Sequence, residues 1–241
     1  MQALTIASRA IEEGVVAWVI QNPRKRNALD PAALAWIERE AATLRGEVVL
    51  LSAADGPAFS AGFDLTALPK AATIDPRSPD APLIAATAAM QAADATFIAV
   101  IDGYVIGAGV ELCCACDLRV ASREAWFLVP AARLGVVYHP AGLARFHAVF
   151  GPGLTRRLIL LGDKLGAAEV AAVGAIARLV DPGEADAAAL ALARTLREAP
   201  QTSTRAHRSL LRQLDAPAGP TAAALADHED ARVAAYAELF G

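Results

Sequence analysis

The segment Phe97–Cys116 constrains this chain more than any other. It opens with the apolar, partly β-branched run FIAVI, passes through Asp102-Gly103 and Gly107-Ala108-Gly109, and resumes at Val110-Glu111 with helical spacing. A buried strand closed by glycines and continued as a helix is the pattern of an α/β unit. Asp102, Glu111 and the glycines also interrupt the tract too often for it to cross a bilayer.

The same alternation runs through the first half. Leu4–Ser8 and Val15–Ile20 read as a hairpin closed by a Glu-Glu-Gly turn. Asp30-Pro31 is an N-cap with proline at the first helical position, opening a helix expected to end near Arg45-Gly46. Val48–Leu51 and Leu118–Ala121 are further strands. Between Leu68 and Pro82 the prolines multiply and apolar periodicity disappears, so a mobile binding loop or lid is expected there. From Gly142 helical patterns dominate, with breaks at Gly151-Pro152, Gly162, Pro182-Gly183, Pro200 and Ala216–Pro220. We expect an α/β core over residues 1–190 and a helical region over 191–241, whose alanine-rich faces suit close packing and oligomerisation.

Composition excludes several classes. The net charge of -4 leaves no basic excess for a phosphate backbone, so nucleic acid is not an expected partner. With 55% apolar and 20% charged residues, the chain is not expected to be disordered. No basic region precedes an apolar stretch at the N-terminus, and neither a secretion signal nor a membrane span is expected. Cys113, Cys114 and Cys116 are too close together for a disulfide framework and lack a second ligand pair for zinc. They read as small buried hydrophobes in a reducing cytoplasm.

Three segments could carry chemistry. The turn Asn22–Leu29 holds Arg24, Lys25 and Arg26, either as a solvated turn or as a site for an anionic group. In Ala58–Leu65 the small residues Ser60, Ala61 and Gly62 serve an ordinary strand-to-helix connection or admit a ligand close to the backbone. In the third, the Ala108 N–H lies at the positive end of a helix, where it can bind a developing oxyanion. Glu111 follows within one turn, which suits proton transfer beside a carbonyl, although a first-turn Glu also simply favours the helix dipole. The glycine spacing matches neither a dinucleotide fingerprint nor a Walker loop.

Together NPRKRNALD, AFSAGFDL and FIAVIDGYVIGAGVELCCACDLRVA resemble the enoyl-CoA hydratase/isomerase (crotonase) superfamily, and LGVVYHPAG and Gly151–Val180 continue the likeness. The resemblance implies a crotonase-like spiral of β-β-α units with a C-terminal helical region that builds trimers, or dimers of trimers. It implies an acyl-CoA thioester as substrate, with coenzyme A entering only as part of it, no other cofactor and no metal. The oxyanion hole falls to the N–H groups of Phe63 and Ala108, with Gly107 beside them. Glu111 is the acid/base. Arg24, Arg26 and Ala28 fall where coenzyme A lies, and Ser60, Gly62, Asp64 and Leu65 line its path. Family members usually run further through a basic tail that helps bind coenzyme A phosphates. That this sequence stops at Gly241 predicts either weaker phosphate contacts or reliance on Arg24, Lys25 and Arg26, or simply reflects a shorter chain.

Two departures bear on the reaction. The second glutamate of the hydratases is replaced by Ala131, which cannot move a proton. Tyr138 resembles a tyrosine of the superfamily's methylmalonyl-CoA decarboxylases, which also lack that glutamate but carry histidine at the Phe63 position. His139, beside it, could likewise compensate for the missing acid, or is a surface or structural residue. The expected activity is hydration or isomerisation through Glu111. The alternatives are a decarboxylase or isomerase using Tyr138, or a non-catalytic acyl-CoA binder.

Overall fold

A computed structural model describes residues 5–54, 56–64, 66, 80–215 and, singly, 226, 230, 233 and 237. The chain begins with a hairpin, β1 (Ile6–Glu12) and β2 (Val15–Ile20), and then α1 (Pro31–Ala41), β3 (Arg45–Ala53) and β4 (Ala58–Ser60). Next come α2 (Ala81–Ala92), β5 (Asp94–Ile101), β6 (Tyr104–Ile106), α3 (Ala108–Ala115), β7 (Leu118–Ser122) and β8 (Trp126–Leu128). The remainder is α4 (Ala131–Leu134), α5 (Pro140–Arg156), β9 (Leu165–Gly166), α6 (Ala167–Ala172), β10 (Arg178–Val180), α7 (Ala185–Glu198) and α8 (Gln201–Asp215).

Two sheets result. The larger has the order β1-β2-β3-β5-β7-β10, and is parallel except for the opening hairpin. The smaller has the order β4-β6-β8-β9, with only β9 antiparallel. Burial on both faces makes the middle stretches of the central strands β2, β3 and β5 apolar, whereas the edge strand β1 is largely exposed. Along β5, Phe97, Ala99 and Ile101 join the main core with Trp18, Trp36 and Phe59. Ile98 and Val100 point the other way, to Val15, Val48, Leu50 and Val120. That second layer is closed by Ala185, Ala189 and Ala193 of α7, at successive turns of one helix face. Their small side chains let α7 lie close against the sheet.

Several expectations shift. The hairpin is displaced from Leu4–Ser8 to Ile6–Glu12. The first helix has the expected cap, with Asp30 accepting from the Ala33 N–H at 2.7 Å, but it ends at Ala41 because Arg45 already opens β3. The position 190/191 expected to divide the chain lies inside α7, a continuous helix packed on the sheet. Gly151 breaks helical geometry within α5 at φ +68, and Gly162 caps the following π-helical turn, as expected. The expected break at Ala216–Pro220 and most of the Leu68–Pro82 loop lie outside the described residues. No described helix is long and apolar enough to cross a membrane.

Arginines tie α8 to the rest of the chain. Arg208 meets Asp94 at 2.7 Å, and Arg212 meets Asp117 at 2.7 Å while donating to the carbonyls of Gln91, Ala93 and Ala95. The three thiols are buried and unpaired. Burial pushes that of Cys114 up to about 12, and those of Cys113 and Cys116 above their ordinary value, so they pack as small apolar groups.

Candidate active site

The small sheet assembles the site. β4, β6 and β8 run parallel, with Ala58 against Tyr104 and Ile106 against Leu128. Their C-terminal ends therefore open on one edge, where the segments carrying Phe63, Ala108 and Ala131 emerge. The Gly107 N–H donates to the Leu128 carbonyl at 2.9 Å, fixing the second segment to the third.

The first two sequence segments are stitched together. Ala61 donates to the Arg26 carbonyl, Leu29 to Gly62 and Asp64 to Leu29, at 3.0, 2.8 and 2.8 Å. Arg26 and Asn27 both adopt left-handed backbone at φ +55, which asparagine tolerates better than most residues. Buried Asn27 donates to the carbonyls of Ala54 and Ala58 and accepts from the Asn22 N–H. Lys25, itself half-exposed, pairs with Asp64 at 2.6 Å and donates to Thr66 at 2.7 Å. Burial raises the Asp64 carboxyl, but the hydrogen bonds from Lys25 and Thr66 and the Lys25 charge outweigh it and hold it below its ordinary value. Arg24 and Arg26 stay exposed at the rim, whereas Ala28 is buried. Leu65 lies outside the described residues.

The bridge between Leu29 and Phe63 is parallel and uses the Leu29 N–H and carbonyl, so the Phe63 N–H points away from it. Ala108 is the first residue of α3, and its N–H has no acceptor within the helix. Gly62 brings these two groups together. It has φ +89, and a Cβ there would stand 2.9 Å from the Ile106 carbonyl oxygen and 3.5 Å from the Ala108 nitrogen. Gly107 follows at φ +54, with the Tyr138 hydroxyl 3.9 Å from where its Cβ would be. Ser60 is fully buried, its Oγ accepting from the Gly62 N–H at 3.2 Å, so it braces this turn from beneath.

Glu111 is 0% exposed. Its Oε1 lies 2.7 Å from Arg145 Nη1 and 2.9 Å from His139 Nε2, both on α5 or its cap. Arg145 also donates to Gln91 of α2 at 3.2 Å, and Asp80 Oδ2 stands 4.0 Å from the His139 ring. Burial pulls the Arg145 guanidinium below its ordinary value while Glu111 supports it, and it remains a full cation. Glu111 Oε2 is buried without a hydrogen-bond partner among the described residues. Gly142 makes room for it, since a Cβ there would meet Oε2 at 2.9 Å and His139 Nε2 at 3.0 Å. Accordingly, Gly142→Ala is expected to displace the carboxylate and to destabilise the fold by about 1–3 kcal/mol through overpacking. Chemical denaturation checks this, and an unchanged midpoint would mean that the network relaxes freely.

Thus the structure joins Gly62, Phe63, Gly107, Ala108 and Tyr138 on one edge, with Glu111 one turn behind Ala108. Ala131 is buried at the start of α4 and supplies no polar group. His139, read from sequence as a surface or structural residue, is buried, caps α5 and lies against Glu111. Arg145, Asp80 and Gly142 were not anticipated. The only signal for Arg145 was a lone cation flanked by Ala144 and Phe146. Among the described residues, no cluster of three or more His, Cys, Asp or Glu side chains is arranged to hold a metal ion.

Residues 10–232 match the family described as "Enoyl-CoA hydratase/isomerase". The chain is 26% identical over 177 residues to a crotonyl-CoA hydratase of Syntrophomonas wolfei, covering 72% of this chain and 68% of that protein. It is 28% identical over 178 residues to a short-chain-enoyl-CoA hydratase of Clostridium acetobutylicum, with the same shares covered. Its fold is similar to a methylmalonyl-CoA decarboxylase solved with 2-nitronate-propionyl-CoA, at a TM-score of 0.88 and 25% identity over 99% of this chain and 93% of that one.

Proposed function

The chain belongs to the enoyl-CoA hydratase/isomerase family of the crotonase superfamily, and from that premise we propose that it processes an acyl-CoA thioester with Glu111 moving the proton. The thioester oxygen is received by the N–H groups of Phe63 and Ala108, and Arg24 and Arg26 at the rim meet coenzyme A phosphates. Glu111 removes a proton from the carbon next to the carbonyl. The electron pair of that C–H bond moves into the thioester as an enolate, whose oxygen the two N–H groups hold. The carboxylic acid so formed returns the proton to carbon.

The observation that carries this reading is a fully buried carboxylate with one oxygen that has no partner among the described residues, one turn from a helix N-terminus that opens on the site. With Ala131 in place of a second acid, a reaction moving a single proton suits the site better than addition of water by two carboxylates. Tyr138, whose hydroxyl lies over Gly107, supports a second reading. There the enolate arises by loss of carbon dioxide from a malonyl-type thioester, and Tyr138 or Glu111 protonates it. Assembly into trimers is part of both readings, and the exposed Leu134, Leu160 and Leu161 offer apolar surface for it.

The test is isotopic. Butyryl-CoA incubated with the protein in D2O is expected to gain deuterium at the carbon next to the carbonyl, read by mass spectrometry. Absence of incorporation at saturating enzyme would contradict the proposal. Release of carbon dioxide from a malonyl-type thioester, without incorporation into butyryl-CoA, would favour the second reading.

A further inference from the structure

Resting on the role just proposed for Glu111, we infer that His139 is a positioning residue: with Arg145 it engages Oε1 of Glu111 and leaves Oε2 as the oxygen that exchanges protons with substrate. The geometry assigns the ring's protons. The Gly142 N–H donates to His139 Nδ1 at 3.2 Å, so Nδ1 accepts and carries no proton. The ring proton is then on Nε2, which makes Nε2 the donor to Glu111 Oε1 at 2.9 Å. Arg145 Nη1 donates to the same oxygen at 2.7 Å. One oxygen holds two donors while the other, equally buried, holds none among the described residues. Leaving a buried acceptor bare is costly, and such atoms in folded proteins ask for an explanation beyond packing.

The histidine is also well placed to hold a direction. It is the N-cap of α5, followed by Pro140 at the first helical position, so its ring is fixed by the start of the helix through Nδ1 and reaches Glu111 through Nε2. Its ring is 3% exposed and has Asp80 4.0 Å from the same nitrogen. A carboxylate pinned in this way presents Oε2 in a single orientation, and placement to within an ångström governs proton transfer.

The cap and the donor can be separated by two substitutions. His139→Asn keeps an acceptor for the Gly142 N–H, and asparagine is a good N-cap, but its side chain is too short to reach Glu111. His139→Gln sets an amide N–H near the position of Nε2. In the deuterium-exchange assay His139→Asn is expected to keep its melting temperature and KM while kcat falls roughly 10- to 100-fold. His139→Gln is expected to recover most of that kcat. Wild-type kcat in His139→Asn would overturn the inference. So would a loss carried by KM, or a loss of kcat in step with melting temperature that His139→Gln does not repair. Exchange that survives Glu111→Gln would instead overturn the role of Glu111 itself, and the two failures are thereby distinguished.

Discussion

Glu111→Gln is expected to lower the rate of deuterium exchange into an acyl-CoA by about 10²- to 10⁴-fold, the range for removal of one general acid/base. Glutamine has nearly the same shape and keeps one oxygen for Arg145 and His139, so the first turns of α3 and α5 remain linked. What it cannot do is accept a proton from carbon and return it. No second carboxyl stands at position 131 to take over, and the two N–H groups at Phe63 and Ala108 are unaffected. The loss is therefore expected in kcat with KM held, the pattern of an interaction made only as the proton moves. A loss confined to KM would place Glu111 in binding rather than in chemistry.

Arg145→Met is expected to cost about 3–5 kcal/mol of stability, because it strands a buried carboxylate without its cation. For a chain of this size that corresponds to a melting temperature lower by roughly 6–20 °C. Gln91 would lose a partner as well. The double variant Glu111→Gln, Arg145→Met removes both charges and is expected to be more stable than Arg145→Met alone. Thermal unfolding of the three proteins checks this, and a melting temperature for Arg145→Met near the wild type would show that the pair carries little of the fold's stability.

The parts of the structure legible in the sequence were those with long or repeated patterns. β2 and the middle stretches of β3 and β5 are apolar because both faces of the sheet are buried there, and Asp30-Pro31 marks the start of α1 without ambiguity. The short strands β4, β6 and β8 have three residues each and therefore no periodicity, yet they bring the site together. α2 is apolar on nearly every face and lacks the polar side that would have announced a helix. Of the two proposed donors, the Ala108 N–H was legible as the positive end of a helix opened by glycines, whereas Phe63 entered only through the family resemblance. The partners of Glu111 could not be anticipated, since they lie 28 and 34 residues away and only the approach of α5 to α3 joins them.

The two backbone donors cannot be deleted by changing a side chain, so the carbonyl they are proposed to hold must be observed directly. Difference infrared spectroscopy on an acyl-CoA carrying 13C at the thioester carbon reads its carbonyl stretch free and bound. Polarisation by the Phe63 and Ala108 N–H groups is expected to move that band to lower frequency on binding, in the wild type and in Glu111→Gln alike. A bound thioester whose carbonyl band stays at its free position would contradict the oxyanion hole, and with it the chemistry assigned to this site.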